Sequence, residues 1–574
     1  MPLPKNIRHL ALAALAALAT LASTALADEP RGLIYYRPVE RAAPQTLEFD
    51  VAVYGGTPGG FATVLQAARL GKNVVLVSFD PYVGGLTSAG LTATDVGRKT
   101  AIGGMAMEFY ERVGKLRDFS PSKAESTFRA MLDEAKVTVL TERPLESVAM
   151  DGTKITSITL ETGETIKAAI FADSTYEGDL FAAANVSYHV GREPAATYGE
   201  SLGGQWQTVE WKSVYQFCDL PISPFKIADD PDSGLLPGIS PHPHGKPGDG
   251  DHRVQAYNFR MFLSNKEGKV AFPKPDGYDP GRYALLARFM NFDADITWTL
   301  NYTTRPMHDG PVQMRNGDSN NAGSFSSNNV NGSNFWPDGT FEPINFAELP
   351  PPRRGLRMPL NELYQMREKI FQDHVNYQQG YMYFMANDPQ VPQDLQERVN
   401  QFGLDPNEFP NTGHWPHSIY VREGRRMISN YVMTQANCER KRVAEDSIGL
   451  ASYPMDSHPC QRVVVERDGV TTVRNEGAFG DSSRGAYPVS YRSIVPKKSE
   501  CTNLLVPVCL SSSHVAFGSI RMEPVYMILG QSAGTAAAIA IDDQVAIQDV
   551  DYPKLSAKLL ELGQILTYPQ PSPN

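Results

Sequence analysis

DVAVYGGTPGG, residues 50–60, is the stretch on which the fold turns. Val51, Ala52, Val53 and Tyr54 form a short apolar strand that runs into Gly55-Gly56-Thr57-Pro58-Gly59-Gly60. Phe61–Leu70 reads as a helix, Gly71 stops it, and Asn73–Val77 gives a second strand, completing a βαβ unit. The N-terminus of such a helix offers free N–H groups and a positive dipole end, which suit a dianionic pyrophosphate. Gly55 permits the tight turn and Gly60 the close packing of helix on strand, but Thr57 takes the middle glycine's place. The strand before and the helix after support a dinucleotide site, against the plainer alternative of an ordinary glycine-rich βα turn.

A second departure lies at the end of the second strand, where an acidic residue is expected to grip the adenosine ribose. Ser78 stands there, with Asp80 two residues on. A hydroxyl or a displaced carboxylate makes the contact, or it is lost, so this end of the unit does not choose between NAD and FAD.

The 574 residues allow two or more domains. Residues 1–27 read as a secretory signal: Lys5 and Arg8, an apolar run from Leu10 to Leu21, and Ala25-Leu26-Ala27 ahead of Asp28. The run is too short for a transmembrane anchor and Arg8 has no twin, so the mature protein is expected to be secreted or periplasmic with no integral membrane segment. The net charge of −11 argues against nucleic acid or an anionic membrane surface as partner. The cysteines, at 218, 438, 460, 501 and 509, form no disulfide framework and no CxxC pair, so no metal site is expected. Cys501 and Cys509 could pair, though nothing demands it.

Residues 28–48 are an extended lead-in, and 49–202 are α/β, with strand-like runs at Val137–Leu140, Ile155–Leu160 and Ala169–Ala172. From 203 to 411 proline, asparagine and glycine cluster, and helical text returns at Leu360–Ala386 and Pro392–Phe402. Asp318–Asp338 is a polar low-complexity stretch, either a surface loop or the lining of a sugar-sized pocket. Strand-and-helix text resumes over 412–545, and 546–574 form a tail. The expected fold is α/β: a discontinuous Rossmann-like nucleotide-binding domain split by an inserted α+β substrate or cap domain.

Three further motifs bear on the ligand. In Gly84-Gly85-Leu86-Thr87-Ser88-Ala89-Gly90, backbone amides and the hydroxyls of Thr87 and Ser88 can meet phosphate, or the stretch is a plain loop. Asp173 ends the strand that runs into Ser174-Thr175-Tyr176-Glu177, a position where α/β folds place ligands; Ser174 or Thr175 can also be a helix cap with Glu177 completing a capping box. Near the C-terminus, Arg521-Met522-Glu523 precedes a helix that starts at Pro524 and runs to about Ile541, with Gly530, Ser532, Ala533, Gly534 and Ala537 for close packing. Its N-terminus suits the electron-rich edge of a reduced flavin.

Together YGGTPGG, GGLTSAGLTATD, IGG, DSTYEGDL, GREPAATYGES, AYNFRM, YVREGRRM, SIGLASYPMDSH and SHVAFGSIRMEP…GQSAGTAAA resemble the FAD-dependent oxidoreductase family with a glutathione-reductase-type FAD fold. Its secreted bacterial members are sometimes labelled xanthan lyase. The resemblance runs from about 49 to 545. It implies FAD held by Gly55, Thr57, Pro58, Gly60, Gly85, Thr87 and Asp173, with Arg521, Met522 and Glu523 at the isoalloxazine end by analogy. Many relatives carry Glu where this chain has Ser78.

For chemistry on a substrate, the candidate bases are His514, in Ser-Ser-Ser-His before the flavin-facing helix, and His458, in Met455-Asp456-Ser457-His458. His414 and His417 flank Trp415-Pro416. Arg422, Glu423, Arg425 and Arg426 have helical spacing, as a salt-bridged helix or a carboxylate-recognising one. Tyr257, Asn258 and Arg260 read as part of a strand, with core packing or substrate reading as roles. The expected activity is hydride removal from a C–H bond of a small polar, carbohydrate-like substrate. Extracytoplasmic NAD(P)H is scarce, so oxygen, a quinone or a redox protein would accept the electrons. The alternatives are reduction of an activated C=C bond, or a lyase or polysaccharide-binding protein on a flavin scaffold. No paired acidic or Tyr/His/Arg constellation stands out for β-elimination.

Overall fold

β-branched and apolar residues put Gln45–Tyr54 (β1) and Val74–Val77 (β2) side by side in parallel, Val53 opposite Leu76, with the helix Pro58–Arg69 (α1) between them in the chain. The structure, a computed structural model, describes residues 32–92, 94–205, 221–242, 245–292, 304–306, 312–314 and 359–568. Thr138–Leu140 (β3) extends the sheet beyond β2. Leu145–Asp151 (β4), Lys154–Leu160 (β5) and Glu164–Asp173 (β6) follow, and β6 pairs parallel with β1, Tyr54 opposite Asp173. The order is β3-β2-β1-β6-β5-β4, with β4 and β5 antiparallel at one edge. Leu504–Leu505 (β7) returns from far along the chain to lie parallel to the end of β6, while β5 pairs with the beginning of β6. One edge of β6 thus serves both halves of the sheet.

Alternation along β1 sorts the two faces. Val51 and Val53 point to a core shared with α1, Gly104–Val113 (α2) and Pro121–Glu134 (α3). Ala52 and Tyr54 point to a second core under β4, β5 and the short helix Asp179–Ala183 (α4). The carboxyl ends of β1, β2 and β6 share one rim, and β1 is the point where the strand order reverses, so the ligand crevice belongs there.

A third core lies around the long helix Leu360–Asn387 (α5) and includes Phe259, Met261, Phe289, Ile370, Phe371 and Trp415. The helix read at Pro392–Phe402 forms over Gln393–Val399. The signal-like residues 1–27, Cys218 and the Asp318–Asp338 stretch lie outside the described residues.

The chain then closes onto its own beginning through His514–Ile520 (α6) and Glu523–Asp543 (α7). A Cβ on Gly530 would fall 2.2 Å from the Gly59 carbonyl oxygen, and one on Gly534 2.3 Å from that of Thr63, so small residues let α7 cross α1 in backbone contact. α7 is long and apolar enough to cross a membrane, yet nearly all of it is buried inside the protein. Its first residue is Glu523, with Pro524 second. His514 opens α6 behind an N-cap, Ser513.

Two local readings are corrected, and one left open is settled. Arg422–Arg426 is not a helix: residues 422–425 take no regular secondary structure, and Arg426–Met427 pairs antiparallel with Tyr188–His189. A salt-bridged helix keeps one face in water, whereas all four charged side chains here are buried, and Arg425 and Arg426 reach Asp179 and Glu193 far away in sequence. Tertiary partners, not spacing, set the backbone. Tyr257–Arg260 forms no strand, making one isolated bridge from Asn258 to Tyr420. Cys501 and Cys509 are both free and buried, on either side of β7, where the Cys509 thiol donates to the Thr175 carbonyl at 3.2 Å.

Candidate active site

A cleft opens at the carboxyl ends of β1, β2 and β6, lined among others by Gly55, Thr57, Ser78, Asp80, Gly85 and Tyr176. Gly55 has φ +118°, and a Cβ there would lie 2.5 Å from the Ser174 carbonyl carbon. The threonine in the middle glycine's place has a role of its own. Thr57 is the N-cap of α1: its Oγ1 accepts from the Gly60 N–H at 3.2 Å and its hydroxyl donates to the Ser174 carbonyl at 2.7 Å. The cap therefore ties the turn to the end of β6. Pro58 follows at the first helical position, and a Cβ on Gly60 would fall 1.9 Å from the Gly55 oxygen. At the end of β2 the Ser78 hydroxyl donates to the Tyr82 carbonyl at 3.2 Å. Asp80 Oδ1 accepts from the Tyr82 N–H at 2.9 Å, so the carboxylate at this rim has moved two residues along.

Asp173 lies behind the cleft, fully buried. Its carboxylate accepts from the Thr175 N–H at 3.0 Å, the Thr175 hydroxyl at 2.7 Å and the Phe181 N–H at 2.9 Å. Burial pushes it up to about 6. It shapes the turn into α4, where Thr175 Oγ1 in turn accepts from the Gly178 N–H at 2.8 Å. Ser174 Oγ is buried beside α1 with no partner among the described residues. Bare glycine backbone, the open N-terminus of α1 and this orphaned hydroxyl together fit the adenosine-diphosphate half of FAD.

Tyr176 joins this cleft to a second group of expected residues. Its hydroxyl accepts from the Leu86 N–H at 3.1 Å and donates to Glu523 Oε1 at 3.0 Å, while the Thr87 hydroxyl donates to Glu523 Oε2 at 3.0 Å. Burial pushes Glu523 up to about 7. Gly85, with φ +50°, faces the Tyr176 hydroxyl, which a Cβ would meet at 2.3 Å. Met522 is the N-cap residue of α7. Arg521 points elsewhere, donating to the Tyr420 hydroxyl and to Asp456 Oδ2, both at 3.0 Å.

The two candidate histidines occupy adjoining but different networks. His458 Nε2 lies 3.1 Å from Asp456 Oδ2, the oxygen that also receives Arg521. Burial, and then the Arg422 charge, push His458 down to about 4. Burial alone would raise Asp456, but His458, Arg521 and Arg422 outweigh it and hold the carboxyl at about 2. His514 instead has both ring nitrogens engaged: Nδ1–H donates to Glu423 Oε2 at 2.8 Å, and Nε2 lies 3.2 Å from Ser457 Oγ. Glu423 also accepts from Gln255 Nε2 at 3.0 Å and from Arg426.

Several residues at the site escape a reading of sequence. Ile34 and Tyr35 of the lead-in line the cleft, with the Tyr35 and Tyr36 N–H groups donating to Glu368 Oε2 of α5 at 2.7 and 2.8 Å. His417 stacks on Tyr82 at 3.6 Å between ring centroids. Asp179 takes Arg367 of α5 at 2.6 Å and Arg425 at 2.8 Å; the arginines outweigh burial and hold its carboxyl low. Burial pushes Glu177, in the cleft wall, up to about 7. Tyr176, Glu177, Asp179, His417, Arg425 and Asp456 fall in stretches already singled out; Ile34, Tyr35, Tyr82 and Arg367 are brought beside them across long sequence separations.

Residues 50–559 match the family model described as FAD dependent oxidoreductase, and the chain belongs to that family. FAD is its cofactor. No curated protein matches the chain. Among solved structures, it is similar to THI4 of Thermovibrio ammonificans (18% identity, 34% of this chain and 76% of that one, TM-score 0.22). It is also similar to a flavin-containing monooxygenase from Stenotrophomonas maltophilia (13%, 26% and 43%, TM-score 0.19). A third likeness is to the open conformation of a flavocytochrome c3 fumarate reductase (14%, 26% and 44%, TM-score 0.19).

Proposed function

We infer that this FAD-dependent oxidoreductase works outside the cytoplasm, removing a hydride equivalent from a C–H bond of a small polar substrate and passing the electrons to oxygen, a quinone or a redox protein. The signal-like first 27 residues support the location. FAD supplies the two-electron acceptor when bound. Gly55, Thr57, Gly60, Asp80 and Tyr176 would hold it, through the α1 N-terminus and the rim of β2.

The observation that carries the reaction is the grouping of Asp456, His458 and Arg521 on one carboxylate oxygen, next to the start of α7. An alcohol that loses a hydride from carbon must also lose a proton from oxygen to become a carbonyl. His458 takes that proton. Depressed to about 4, its ring is neutral near pH 7, and the Asp456 carboxylate beside Nε2 orients it. Asp456 stays ionised and stabilises the ring once it is charged. His514, engaged at both nitrogens, buttresses the neighbouring strand.

Anaerobic mixing of the purified protein with a panel of sugars and hydroxy acids tests the reading through loss of flavin colour. Bleaching by at least one panel member supports it. A protein bleached only by dithionite and recoloured by an alkene acid runs the reaction the other way and overturns it.

A further inference from the structure

The glycine turn wall of the nucleotide cleft is tied to the sheet. The Gly55 N–H donates to the Val77 carbonyl at 2.8 Å, and the Thr57 hydroxyl donates to that of Ser174 at 2.7 Å. The lead-in wall is held differently. Residues 32–44 take no regular secondary structure before β1, yet Ile34 and Tyr35 reach the cleft and line it.

Their clamp comes from side chains, and its main part is α5. Glu368 Oε2 accepts from the Tyr35 and Tyr36 N–H groups at 2.7 and 2.8 Å, and Oε1 accepts from Gln372 Nε2 at 2.7 Å. The same Gln372 nitrogen donates to the Leu33 carbonyl at 2.7 Å. Across the segment stands Phe79, the residue after Ser78 at the end of β2. Its ring centroid lies 5.0 Å from that of Tyr35 and 6.2 Å from that of Tyr36. The Tyr36 hydroxyl donates to Glu161 at 2.9 Å. The lead-in therefore bridges α5 and the rim of β2 where the cleft ends.

Glu368 is half-buried and Gln372 exposed, so water can replace either partner and the clamp opens at little cost. We infer that Ile34–Tyr36 is a latch on the cofactor. Released from Glu368, the lead-in moves off Phe79 and FAD enters or leaves; clamped to Glu368, it holds FAD in place. The inference rests on the assignment of this cleft to the adenosine-diphosphate half of FAD, and adds how the cofactor is admitted and retained. It has a kinetic signature. A fixed wall touches only the bound nucleotide, so weakening it speeds release alone. A latch also shuts the empty cleft, and uptake is slowed by the fraction of time it stays closed. Loosening a latch speeds release and uptake together.

The test measures both rates on the full chain: exchange of radiolabelled FAD from the loaded protein into excess unlabelled FAD, and uptake of FAD by the flavin-free protein. Glu368→Ala removes the clamp and suits a helix. It should speed release and uptake each by about 10- to 100-fold. Gln372→Ala, on the surface, should speed both by about 3- to 10-fold, and carries the test if Glu368→Ala does not fold. Unchanged rates in the variants that fold, or faster release with unchanged uptake, overturn the latch and leave the FAD cleft standing. A wild-type protein that neither carries nor takes up FAD overturns both, and shows it before any exchange is measured.

Discussion

Asp456 and Arg521 meet at 3.0 Å, tying a short strand to the residue that leads into α7. The same carboxylate oxygen lies 3.1 Å from His458, so one group orients both an arginine and a base. Asp456→Asn keeps the shape and removes the charge that stabilises protonated His458. Flavin content should stay normal while flavin reduction by substrate slows by about 10²–10⁴, the range of general-base catalysis. His458→Ala should do the same. An unchanged single-turnover rate in both variants places the base elsewhere.

His514→Ala should act differently. It leaves Glu423 and Arg426 in the interior without the imidazole, so the loss should appear as stability, about 1–3 kcal/mol in denaturant unfolding, before it appears in rate. A large rate loss at unchanged stability contradicts the buttressing role.

At the opening turn, Gly60→Val should abolish flavin retention. Even a Cβ at this position would fall 1.9 Å from the Gly55 oxygen, so the turn must open and α1 must move off β1. Flavin at normal stoichiometry in this variant would show that the pyrophosphate is held elsewhere.

The pH profile of stability has a predicted sign. Asp173 at about 6 and Glu177 and Glu523 at about 7 are raised by burial, so the native state holds their protons more tightly than the unfolded chain does. Their contribution is complete below pH ~4 and is lost as pH rises through 6 to 7. Glu423 and Asp456, at about 2, act in the opposite sense and lose their contribution as pH falls below ~4. The depressed His458 opposes the loss between pH ~4 and ~6.5 but is one group against three. The melting temperature of the flavin-free protein should therefore peak near pH ~4 and decline toward pH ~7. Glu523→Gln should flatten that decline, and a wild-type curve that rises from pH ~4 to ~7 contradicts the assignment.

Asp179 holds Arg367 of α5 and Arg425 against the cleft wall. Asp179→Ala leaves two buried guanidinium groups without it and should cost about 3–5 kcal/mol in denaturant unfolding. A loss below ~1 kcal/mol would show that α5 is docked by its apolar contacts alone.

What the sequence made legible follows the range of the interactions. The βαβ unit, α5 and α7 have local periodicity and punctuation, so their existence and approximate limits could be read directly. Gly530 and Gly534 announced a close helix crossing, though not that α1 was the partner. Arg422–Arg426 misled because helical spacing is also produced by chance, and the backbone there follows buried partners such as Asp179 and Glu193. At the site, Thr57 looked like a defect in the glycine turn; its capping bond becomes visible only once Ser174 is beside it. The lead-in residue Tyr35, the Tyr82–His417 stack and the Arg521–Tyr420 bond depend on contacts across long stretches of chain, which no local pattern encodes.

The most direct measurement is the absorbance spectrum of the purified protein, followed by quantification of the nucleotide it holds. The glycine turn, the Thr57 cap and the Tyr176–Glu523 junction predict a yellow protein with one FAD per chain. A colourless protein that takes up no FAD on reconstitution would contradict that reading.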